Sequence, residues 1–167
     1  MKGSAAIAGG LAGACAIASV HEGLRRLTPD APRMDLLDME ALRKLLKTIH
    51  APVPKHEELL KWTVTGEAVS NVAYYSLAGA GNGKSVWLRG ALLGLVAGIT
   101  AVVLPEPLGL PEVHSNRTTQ TKVMTIGLYL IGGLAAASVS RLVADGDNNI
   151  RGSQKRSVKN LYPERSE

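Results

Sequence analysis

The chain has 167 residues, enough for one domain, and its 19 Lys and Arg against 14 Asp and Glu give a formal net charge of +5. A single cysteine excludes an intramolecular disulfide framework and a cysteine-rich zinc site. The basic excess lies in loop and tail without interleaved aromatic residues, which argues against a nucleic-acid partner and for anionic lipid headgroups.

The charges are segregated, and that is the main signal. From Gly3 to Val20 the chain is uncharged and just long enough to cross the hydrocarbon of a bilayer. A first helix is therefore expected over 3–26, ending in His21, Glu22, Arg25 and Arg26. Lys2 ahead of this run leaves a cleaved signal peptide as the rival reading. Leu11 to Cys15 also approaches a lipidation signal, although Ala12 stands where a large aliphatic residue is expected.

The next stretch is polar and is punctuated by Pro29, Pro32, Pro52 and Pro54. Between the proline pairs the spacing predicts an amphipathic helix over 35–49. Leu42, Leu45, Leu46 and Ile49 share one face, Asp35 and Asp38 favour its start, and Arg43, Lys44 and Lys47 favour its end. Such a helix lies at a membrane surface or packs on the rest of the protein.

A second long helix is expected over 55–79, interrupted by Glu67, and Gly79, Gly81, Asn82 and Gly83 then predict a tight turn. The third runs over 85–104 with Arg89 as its one charge, and Pro105 and Pro107 stop it. The fourth spans 121–143 around an uncharged core from Val123 to Ser140. Residues 145–167 read as a polar, basic, flexible tail.

The fold class that follows is all-α, a polytopic membrane helical bundle of four membrane helices in a domain over 1–144. A bacterial inner (plasma) membrane is the expected location. Positive-inside reasoning favours an alternative with three crossings, in which segment 62–79 is re-entrant or interfacial; segment length favours four. With four, Lys and Arg are nearly balanced between the two sides and do not orient the chain.

Glycine spacing supplies the packing motifs. Gly90, Gly94 and Gly98 form a flat stripe, with shorter versions at Gly9 and Gly13, Gly132 and Ala136, and Gly133 and Ala137. These suit helix packing within the chain or a homo-oligomer.

Motifs of chemistry fall short. Ala78 to Ser85 resembles a phosphate-binding loop, but Ala78 replaces its first glycine and it joins two apolar helices where such a loop follows a strand. Asp145, Asp147 and Asn149 begin like a calcium loop, yet Gly146 is misplaced and Arg156 stands where Glu belongs. His21 and Glu22 begin like a zinc-protease helix, with Arg25 where the second histidine belongs. His50 and His56, with Glu57 and Glu58, would bind a metal only if the proline loop folded back. No catalytic residue, metal set or cofactor is assigned.

What remains is a polar constellation. Thr63, Glu67, Ser70, Asn71 and Tyr74 share one face of the second membrane helix, and His21, Glu22 and Arg25 end the first helix on the same membrane side. Arg89 belongs on the opposite side. Two functional expectations follow: a structural or accessory component of a membrane complex, or a small proton- or ion-coupled transporter acting as a homo-oligomer with Glu67 as the coupling carboxylate. A membrane enzyme ranks behind both.

Overall fold

The computed structural model describes residues 3–81 and 83–161, so Asn82 of the expected turn lies outside the described residues. Five α-helices follow in order: α1 (Gly3–Leu27), α2 (Met34–Thr48), α3 (His56–Ser76), α4 (Val86–Val103) and α5 (Thr119–Leu161). Short 3-10 turns sit at Leu77–Gly79, Gly83–Ser85 and Glu112–His114. No strand occurs among the described residues.

Three segments are long and apolar enough to cross a membrane: Gly3–Leu27, Gly83–Val103 and Thr119–Gln154. The helix α3 is not among them, because Glu57, Glu58, Lys61 and Glu67 lower its hydropathy. Large apolar side chains such as Ile7, Leu88, Leu92, Val96, Ile99 and Val103 point outward, whereas glycine and alanine fill many of the helix contacts. Water would penalise that arrangement, and it is compatible with a membrane protein.

Packing centres on α5, which lies between α1 and α4. Its adjacent glycines serve different neighbours. A methyl group on Gly133 would come 2.0 Å from the Gly90 carbonyl oxygen, and one on Gly132 would come 2.6 Å from the Ile17 side chain. Along α4, a methyl on Gly94 would lie 2.6 Å from the Tyr129 carbonyl oxygen and one on Gly98 2.7 Å from the Ile126 Cα. Gly9 and Gly13 meet α5 in the same way, against the carbonyls of Ala136 and Gly132. Gly10 turns to α3, where its methyl would strike the Val72 carbonyl at 2.3 Å. The stripe expected on α4 is thus taken up inside the chain, by α5.

The order of these contacts fixes direction. Gly9 pairs late in α5 and Gly13 earlier; Gly90 likewise pairs late and Gly98 early. Both α1 and α4 therefore run antiparallel to α5 and parallel to one another.

At the far end of α1 the long loop is clamped in place. Arg117 donates to the Pro29 carbonyl and to Asp30 Oδ1, and the Thr121 hydroxyl donates to the Asp30 carbonyl at 2.9 Å. The Arg33 amide donates to the His114 carbonyl at 2.7 Å as α2 begins. That helix ends in a Schellman arrangement: His50 takes a φ of 57°, its amide bonds the Lys47 carbonyl, and the Ala51 amide bonds the Leu46 carbonyl. Pro52 then prevents any continuation.

Two expectations change. On α2 the buried apolar positions are Met34, Leu37 and Met39, while Leu45 and Ile49 of the expected stripe are exposed. The first half packs on the protein and the last turns leave apolar side chains outside. The segment expected to be flexible from 145 continues α5 as helix to Leu161. No proline interrupts it, and Arg141 pairs with Asp145 one turn on at 2.9 Å. Residues 162–167 lie outside the described residues.

Candidate functional site

The helices α3 and α4 meet at the 3-10 turns and again where the Tyr74 hydroxyl donates to the Leu93 carbonyl at 2.9 Å. Beyond that bond they splay apart. Tyr75, fully buried, keeps α3 against the bundle instead, donating its hydroxyl to the Tyr129 carbonyl at 2.9 Å. Adjacent tyrosines thus tie α3 to two different helices, and a groove opens between α3 and α4.

Two joined chambers occupy the groove. The larger has a volume of about 460 Å³ and mostly apolar walls, including Leu37 from α2, Val96, Ala97 and Ala101 from α4, and Leu104 and Leu110 beyond it. Val96, Leu104 and Leu108 on its rim are exposed, so its mouth faces sideways. The smaller, about 330 Å³, lies between α2 and α3 and is lined by Leu42, Trp62, Thr63, Gly66 and Glu67. Asp38, Ser70, Asn71 and Tyr129 line both.

The roof over the polar end is α2, and polar contacts of Lys44, Arg33, Arg25 and His21 hold it. Lys44 Nζ donates to the carbonyls of Leu108 and Gly109. Arg33 donates to both oxygens of Asp35 at 3.1 Å, and Arg25 lies 3.7 Å from the same carboxylate. His21 Nε2 lies 3.0 Å from the Pro32 carbonyl oxygen.

Of the residues singled out in sequence, Glu67, Ser70, Asn71 and Tyr74 do gather around the chambers. Thr63 also lines the smaller one, but its hydroxyl is spent on the Leu59 carbonyl. His21 and Arg25 turn toward the loop and α2, and Glu22 pairs with Arg25 and Arg26 on the surface. Arg89 sits at the other end, donating to the Ala78 carbonyl at 3.1 Å.

Sequence reading missed Asp38 and Tyr129. In the sequence Asp38 stands only as a favourable charge at a helix start, and Tyr129 carries no assignment. Only the fold brings them to Glu67, since they come from three different helices.

The electrostatics of the roof are divided. Burial raises the Asp35 carboxyl, but the Arg33 hydrogen bonds, helped by Arg25, outweigh it and hold the group below its ordinary value. Burial pushes the Asp38 carboxyl up to about 7, and repulsion from Glu67 and then Asp35 adds to the effect. Among the described residues neither Asp38 nor Glu67 has a salt-bridge or side-chain hydrogen-bond partner, and the hydroxyl of half-buried Tyr129 has none either.

No group of three or more His, Cys, Asp or Glu side chains suited to a metal occurs among the described residues. Compared with family models, with curated proteins and with solved structures, the chain matches none.

Proposed function

We propose that the protein is an accessory component of a bacterial inner (plasma) membrane that binds an amphipathic molecule in the groove between α3 and α4. The observation that carries this reading is the joining of a large apolar chamber, open sideways, to a smaller chamber with unpaired polar groups. Such a shape accepts a chain from the hydrocarbon and a head at the roof.

In this reading α3 is the fourth crossing. Since α1 and α4 run parallel, the chain between Leu27 and Val86 has to return across the bundle, and α3 is the helix available for that return. Twenty-one residues rise about 31 Å, the thickness of a bilayer core. Glu67 on α3 is turned to α2 and the smaller chamber, which lowers the cost of placing it there.

The test uses the full chain in phosphatidylcholine vesicles and a photoactivatable dodecanol. Saturable labelling of Val96 to Ala101, lost in Ala97→Phe, is the expected result. Labelling that rises without saturation and ignores Ala97→Phe would show ordinary lipid contact and end the reading.

A second reading is favoured by one observation, the sharing of a chamber by Asp38 and Glu67. Two neighbouring carboxylates disfavour being ionised together, so one of them holds a proton near neutral pH, as a proton-coupled transporter needs. Glu67→Gln should then abolish pH-driven flux in vesicles while leaving insertion intact. A homo-oligomer of either kind would use a face other than the Gly90, Gly94 and Gly98 stripe, which α5 occupies.

A further inference from the structure

We infer that the joined chambers select an amphiphile with a single ammonium head, whose nitrogen sits among Asp38, Glu67, Asn71 and Tyr129 while its chain lies along α4. This rests on the groove being a binding site, and adds what the site binds.

Charge complementarity carries the inference. Two carboxylates line the smaller chamber, and no Lys, Arg or His is among the described residues that line either chamber. The guanidinium groups nearby are directed elsewhere, Arg25 and Arg33 to Asp35; His21 lies within electrostatic range of Glu67, but its Nε2 is held at the Pro32 carbonyl and it does not line either chamber. An anionic head would meet two like charges in the chamber, whereas an ammonium supplies the missing countercharge.

Hydrogen bonding points the same way. A primary ammonium has three N–H donors and no acceptor, and the chamber offers carboxylate oxygens, the Asn71 amide oxygen and the unpartnered Tyr129 hydroxyl. Tyr129 is half-buried and lies within electrostatic range of both Asp38 and Glu67, which places its polar end toward them. Trp62 borders the same chamber and adds an aromatic face to the cation site.

Asp38 makes the binding depend on pH. It faces Glu67 on α3, Asp35 on its own helix and Tyr129 on α5. An ammonium favours its ionised form, so binding takes up the cation and releases a proton as the pH falls below 7.

The experiment compares three photoactivatable dodecyl probes with ammonium, hydroxyl and carboxylate heads, on the full chain in phosphatidylcholine vesicles at pH 8. The ammonium probe should label the α4 wall saturably and about tenfold more tightly than the alcohol, and the carboxylate should not compete. The double variant Asp38→Asn with Glu67→Gln should bring the ammonium probe down to the affinity of the alcohol. An unchanged helical circular dichroism spectrum serves as the control that the variant is folded. Equal labelling by all three heads, lost in Ala97→Phe, would overturn the ammonium assignment and leave the groove as a site. Preference for the ammonium that survives the double variant also overturns it. Saturable labelling by none of the probes would remove the groove reading and this inference together.

Discussion

Asp35 and Asp38 stand one helical turn apart on α2, yet their surroundings push their carboxyls in opposite directions. The difference is a partner: Asp35 holds Arg33 in a two-pronged contact, whereas Asp38 is buried without a cation and is repelled by Glu67 and Asp35. A carboxyl raised from 3.8 to about 7 binds its proton more tightly folded than unfolded. Its contribution is therefore most favourable at acid pH, declines as the pH rises through the window between those values, and is level above it. Asp38→Asn should remove this decline and raise thermal stability in detergent at pH 8, by an amount on the order of 1–3 kcal/mol, with little change at pH 4. Equal pH profiles for the two proteins would mean that Asp38 reaches water freely. Glu67 is read by a pair of variants: Glu67→Gln should keep both fold and alcohol labelling, because the amide still hydrogen-bonds at the chamber. Glu67→Leu should keep the fold but weaken ammonium labelling about threefold, part of the tenfold preference, as one of the two countercharges is lost.

Between helices, stability comes from backbones that approach until only hydrogen fits. Gly133 is the tightest such point, because the Gly90 carbonyl occupies the space of its missing side chain. Even Gly133→Ala should force α4 off α5 and cost about 1–3 kcal/mol, seen as a lower melting temperature in detergent, whereas Gly127→Ala, which meets open space, should be neutral or slightly stabilising. These glycine positions were readable from four-residue spacing alone, and so were the charge-free runs of α1, α4 and α5. Which neighbour each stripe would meet was not readable, since Gly132 and Gly133 are adjacent in sequence and face different helices. The roof was less legible still. Periodicity on α2 pointed to Leu42, Leu45, Leu46 and Ile49, but tethers at its start and at Lys44 rotate Met34, Leu37 and Asp38 toward the bundle. A helix held by long-range hydrogen bonds need not bury its most apolar face, and no local pattern reports such bonds.

At the scale of the whole molecule, the parallel run of α1 and α4 supports the proposed four-crossing topology over the three-crossing one read from the sequence. Were α3 to lie on the surface while α1, α4 and α5 crossed, α4 would have to start on the side where α1 ends, antiparallel to it; the glycine contacts set it parallel. The four-crossing arrangement puts the start of α1, the turn before α4 and the polar end of α5 together, with the α2 loop and the α4 to α5 connection opposite. The chain's lone cysteine, Cys15, is exposed on α1 and can be removed to give a silent background. In a Cys15→Ala protein, single substitutions Ser4→Cys, Lys84→Cys and Asn149→Cys should react with an impermeant maleimide from one side of sealed vesicles. Thr48→Cys and His114→Cys should react only from the other. Partial labelling of all five from both sides would indicate that the nearly balanced loop charges let the chain insert in both orientations, with four crossings in each. Labelling of Ser4→Cys and Asn149→Cys from opposite sides would instead mean an odd number of crossings. That result would place α3 at the surface, take Glu67 out of the bilayer and open the smaller chamber to water, so that an ammonium head would lose the enclosure that makes its attraction to two carboxylates strong.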